Sequence, residues 1–142
     1  PRWSEQSAKA ANDAIKEARA KINGERVGRS AFQLAFLVLS LRESFKTVAP
    51  LEGDLAKLED VAKDLGRRVE GSPVEVEVLK LISALRGDIA GAQSGENVAA
   101  HVDQMDETCA TLLEKVNPGR KREDLLQEVA AAFAGAKARR KA

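Results

Sequence analysis

Apolar residues recur along this chain at alternating steps of three and four. Ala8, Ala11, Ile15, Ala18 and Ile22 form the first such stripe. Leu51, Leu55, Leu58, Ala62, Leu65 and Val69 form another, and Val98, Val102, Met105, Cys109, Leu112 and Val116 a third. Steps of this kind place side chains on one face of an α-helix, and a β-strand would need a period of two. The single competing pattern is "VEVEV" at 74–78. It alternates, but it opens a run (Val74, Val78, Leu81, Ile82, Leu85, Ile89) whose later spacing is helical. It also follows Ser72, Pro73 and Glu75, which fit the N-cap, N1 and N3 positions of a capping box.

Start and stop signals then divide the chain into six predicted helices, at 4–23, 30–48, 51–69, 73–91, 96–116 and 121–139. Asn23–Gly24 ends the first, Gly28 and Ser30 open the second, and Pro50 forbids its continuation. Asn117–Pro118–Gly119 closes the fifth, while the sixth (Leu125, Val129, Ala132, Phe133, Ala136) fades into a basic tail, 137–142, expected to fray. Helices of about 20 residues are about 30 Å long, and short linkers make sequential neighbours pack antiparallel. The expected fold is all-α: one compact helical bundle over 1–142. The near-regular spacing of the helices invites a solenoid, but no residue-level repeat supports one. The first helix, striped mostly with Ala, buries little area and is the one expected at the periphery.

The most apolar stretch is "SAFQLAFLVLSL", residues 30–41. A membrane-spanning helix needs about 20 apolar residues. This run is shorter, contains Gln33 and Ser40, and is bracketed by Arg29 and Arg42. A helix apolar on nearly all sides belongs in the centre of a bundle. Phe32, Phe36 and Phe45 lie in the predicted helix 30–48, so they form either core or an apolar docking face.

Composition agrees with the pattern. The 142 residues are 44% hydrophobic and 32% charged, with no Tyr, four Phe and one Trp, so strand-favouring aromatics are scarce. Charge is uneven. Residues 1–42 hold eight Lys/Arg against four Asp/Glu, residues 43–114 hold seven against fifteen, and 120–142 hold seven against three. Basic ends around an acidic middle imply a dipolar surface or a shared basic patch. One cysteine allows no intrachain disulfide and the N-terminal residues lack the pattern of a secretory signal, so the expected localisation is cytoplasmic.

Candidate chemistry is sparse. His101 sits beside the Val98–Val102–Met105 stripe, at the edge of the expected core. Cys109 lies eight residues on, about 12 Å along the axis, too far for direct activation. No CxxC, HxxxH or phosphate-loop spacing occurs. No cofactor, metal or catalytic constellation is expected, and the reading is non-enzymatic. "RGD" at 86–88 falls inside a predicted helix, so an adhesion role is not expected of it. "SALRGDIAG" at 83–91 is similar to the arginine-finger segment of bacterial effector domains that activate GTP hydrolysis by Rho GTPases. The likeness spans nine residues and would imply a finger role for Arg86. Ser83 stands where that family prefers Gly, and the family's Gly-rich Trp segment has no counterpart.

The strongest surface feature is basic: Arg120, Lys121 and Arg122 at the start of the last helix, and Lys137, Arg139, Arg140 and Lys141 at its end. Cations at a helix N-terminus oppose the dipole, so local helix stability does not account for the first cluster. The expected function is a protein–protein interaction or assembly module, with a protein partner or a homo-oligomer. The alternatives are nucleic-acid binding through the basic termini and a membrane-active, lipid-binding bundle.

Overall fold

The structure is a computed structural model of the 142-residue chain. It describes the backbone of residues 5–45 and 52–141, and the side chains of 7–15, 26–43 and 52–139. The described residues form five helices: α1 (Glu5–Phe45), α2 (Glu52–Arg68), α3 (Glu75–Gln93), α4 (Val98–Val116) and α5 (Arg122–Lys141). The all-α packed bundle is as expected, and its main departure lies at the start.

The helices predicted at 4–23 and 30–48 run together as α1, which is 41 residues long. Asn23–Gly24 and Gly28 do not break it. A glycine inside a helix costs about 1 kcal/mol relative to alanine, which packing further along can offset; only proline imposes a true stop. Ser30 does not cap a helix either. It is buried, and its Oγ accepts a hydrogen bond of 2.8 Å from Arg68 Nη1. The same guanidinium donates to the Arg26 carbonyl at 3.3 Å, which pins the end of α2 to the middle of α1. The proposed stop at Pro50 lies outside the described residues.

The capping box expected before α3 does not form: the N-cap is Val74, without a side-chain cap bond, and Ser72 and Glu75 hold other amides of the turn. Ser72 Oγ accepts from the Val74 amide at 3.2 Å, and the Glu75 carboxylate accepts from the Gly71 amide at 3.1 Å. The helix itself begins at Glu75, two residues later than the sequence suggests. "VEVEV" is helical from Glu75 on.

The C-terminal half of α1 packs on α2 and α4, α3 packs on α2 and α4, and α1 and α3 face each other across the core without close approach of their backbones. These four therefore form a ring of neighbours, a four-helix bundle, with α5 laid against α1 and α4. The core follows the stripes: Leu34, Val38 and Leu41 of α1 meet Leu55, Leu58 and Leu65, Val78, Leu85 and Ile89, and Met105, Leu112 and Leu113. Each fully buried Leu or Ile contributes about 1.5–3 kcal/mol of hydrophobic stabilisation. The stretch 30–41 supplies one wall of this core, with Ala31, Leu34 and Val38 fully buried and Gln33 exposed. No helix among the described residues is long and apolar enough to cross a membrane.

Candidate interaction site

The basic residues picked out by sequence are placed very differently from one another. Arg120 forms a two-pronged contact with the Glu128 carboxylate, at 3.1 and 2.5 Å. That hydrogen bond holds the Glu128 carboxyl below its usual range and raises the Arg120 pKa. Arg122 reaches back onto α4. It donates to Glu107 at 2.7 Å, to Glu114, and to Thr111 Oγ1 at 3.0 Å. The bonds to Glu107 and Glu114 raise its pKa as well. Two of the cations that helix-dipole reasoning left unexplained are thus tied to carboxylates of the same chain. Arg42 at the other basic end does likewise, with Asp106 and, at 3.5 Å, Asp103. Arg42 and Arg122 meet the acids of α4 around one depression, lined also by Ala110 and Leu126. One cation from each basic end, Arg42 and Arg122, thus comes to this depression, and both are paired there with carboxylates of α4.

Lys121, Lys137 and Arg139 are exposed, and Arg139 Nε donates to the Gly135 carbonyl. The side chains of Arg140 and Lys141 lie outside the described residues. Phe32 and Phe36 are half-buried and packed against the core. Phe36 meets Phe133 of α5 edge-on, ring centres 5.8 Å apart, so α5 covers this part of the suspected docking face. The Phe45 side chain is outside the described residues.

His101 bridges α4 to α3 through Nδ1, 3.0 Å from Asp88 Oδ1. Cys109 is buried, and burial, with a smaller push from Asp106, raises its thiol pKa far above the ordinary value. Among the described residues no three His, Cys, Asp or Glu converge as a metal site. Both charged members of "RGD" are engaged within the bundle: Asp88 by His101, and Arg86 by Glu59 at 2.8–2.9 Å.

Two surfaces escaped the sequence reading. The first is the N-terminal half of α1. A 41-residue helix is about 60 Å long, twice the length of its bundle partners. Among the described side chains, the first buried one is Val27. Before it, Ser7–Ala10 and Asn12–Ile15 are exposed, and Ile15 stands 51% open to solvent. The stripe Ala8–Ala11–Ile15 was legible, but that Ala8 and Ile15 stay exposed among the described residues was not.

The second is a groove of about 710 Å³ between α2 and α3. It is lined by Ala56, Leu79, Ile82, Ser83, Gly87 and Ala90, with Glu59, Asp60 and Arg86 at its rim. Beside it Leu79 is 41% and Val76 67% exposed. The β-branched, apolar outer positions of "VEVEVLKL" were the available signal: α3 is apolar on more than its core face. No family model, curated protein or solved structure matches the chain.

Proposed function

We propose that the protein is a non-enzymatic interaction or assembly module, and that the projecting half of α1 is its docking element. The carrying observation is that Ala8 and Ile15 stand exposed, with Ala11 half-buried between them, on a helix that outreaches its bundle by about 30 Å. A solvated helix of ordinary stability presents polar groups all round; an amphipathic one without a covering partner on its own chain is suited to lie against another apolar surface. The bundle anchors this helix rigidly through Arg68, Ser30 and the core, so the docking half is held in helical form and little ordering entropy is lost on binding.

A nucleic-acid reading has less support, because Arg120 and Arg122 are already bound to carboxylates of this chain. A photo-crosslinking residue at Ala14, exposed on this segment, tests the assignment in cells that make the protein. A discrete protein adduct, suppressed by Ile15→Glu, is expected. A folded protein that gives no adduct from this position overturns the role of α1.

A further inference from the structure

We infer that the partner of the α1 projection is an acidic amphipathic helix of another protein, which lays an apolar stripe on Ala8, Ala11 and Ile15 and carboxylates on Arg26 and Arg29. This rests on the projection being a docking element, and adds the chemistry of what it docks to.

The first observation is the face these residues share. At 3.6 residues per turn, Ala8, Ala11, Ile15, Arg26, Arg29 and Phe36 fall within an arc of about 80° around α1. Val27, Ala31, Leu34, Val38 and Leu41, which enter the core, lie on a side turned away from that arc by roughly 130°. The projecting stripe therefore does not prolong the core-facing side of α1. It prolongs the side on which α5 is seated, where Phe133 meets Phe36. Along this face an apolar tip is followed, about 17 and 21 Å beyond Ile15, by two arginines.

The second observation is charge. Arg26 and Arg29 are exposed, and no carboxylate among the described residues pairs with either. Arg42, Arg67, Arg68, Arg86, Arg120 and Arg122, by contrast, each hold a carboxylate of this chain. The backbone beneath the two free guanidiniums is fixed, because the Arg26 carbonyl accepts from Arg68 and Ser30 is buried under the same side chain. Two guanidiniums less than one turn apart on a held helix suit carboxylates, and the neighbouring stripe demands apolar groups from the same partner. An acidic amphipathic helix supplies both.

Other occupants fit less well. Helices that lie in a lipid surface insert bulky Trp, Phe or Leu side chains. Two alanines and one isoleucine offer little area for that, but they let a second helix axis come close. A second copy of this chain has its clustered carboxylates already engaged: Glu59 and Asp64 of α2 by Lys63, Arg86 and Arg68, and Asp106, Glu107 and Glu114 of α4 by Arg42 and Arg122.

The test uses a defined probe. A fluorescent helical peptide of about 20 residues, with leucine and alanine on one face and glutamates flanking them, is titrated with the full chain and read by anisotropy. Binding is expected, weaker as salt is added. The same peptide with lysine for glutamate should not bind. Arg26→Gln combined with Arg29→Gln should weaken binding about tenfold, and Ile15→Glu should weaken it as well. All three positions are exposed, so helicity by circular dichroism should be unchanged. A glutamate peptide that does not bind, binds no better than the lysine peptide, or binds the double arginine variant equally well overturns the inference. So does tighter binding to phosphatidylserine vesicles than to the peptide, or self-association of the chain lost with the two arginines, since each names a different occupant. The crosslinker at Ala14 separates this from the role of α1 itself. An adduct that survives Arg26→Gln with Arg29→Gln keeps α1 as the docking element and removes the acidic partner, whereas no adduct removes both.

Discussion

His101 of α4 stands directly over Gly91 of α3: a β-carbon at Gly91 would lie 2.4 Å from Nε2 and 2.5 Å from Cε1. The missing side chain is what lets the imidazole lie flat across the helix and reach Asp88 with Nδ1 at 3.0 Å. Gly91→Ala must push the ring, 31% exposed, out into solvent and break that contact. The expected cost is about 1–2 kcal/mol, against the usual gain of about 1 kcal/mol for Gly→Ala within a helix. A double-mutant cycle by urea denaturation checks it. In a His101→Ala background the obstacle is gone, and Gly91→Ala should become neutral or stabilising.

Gly28 predicts the opposite sign. It lies within α1, and a β-carbon there would meet nothing within 4 Å. Because α1 is continuous, Gly28→Ala should stabilise the protein by about 0.5–1 kcal/mol. Thermal unfolding followed by circular dichroism reads this directly. A glycine in a left-handed linker between two helices would instead make the substitution destabilising.

Arg122 joins α5 to α4 through Glu107, Glu114 and Thr111. Arg122→Met keeps the aliphatic stem and removes the fork. With a guanidinium about one-third exposed, the loss should be about 1 kcal/mol, and smaller at high salt. Hydrogen exchange should show it as faster opening of α5, with the α2–α3 amides little changed.

Cys109 carries a pH dependence. Its folded-state pKa lies far above the ordinary value of about 9.0, chiefly through burial. Below pH 9 the thiol is protonated in both states and contributes no slope. Above it the unfolded chain loses the proton first, so stability falls as pH rises, by up to about 1.4 kcal/mol per unit. Cys109→Ala should flatten this alkaline limb in denaturant titrations, after allowance for a lower plateau from the lost packing. The same burial predicts a thiol that reacts with a disulfide reagent only as fast as the protein opens.

The local physics of the chain was written in its sequence. The stripes of α2, α4 and α5, the apolar wall at 30–41, the place of His101 at the core's edge and the burial of Cys109 all follow from helical period and residue volume. Those properties act within a few turns and need no knowledge of neighbours. The continuity of α1 depended instead on a balance between glycine's modest cost and packing supplied by distant helices, with Arg68 fastened to Ser30 and to the Arg26 carbonyl from 38 and 42 residues away. The fate of the basic ends was decided in the same way. Arg42 and Arg122 look free in sequence because the carboxylates that hold them lie on α4, and only folding brings charges so far apart in the chain within a few ångströms. The open face of α1 and the groove beside Leu79 are likewise tertiary facts, since a stripe states that a face is apolar and only the packed structure states whether anything covers it.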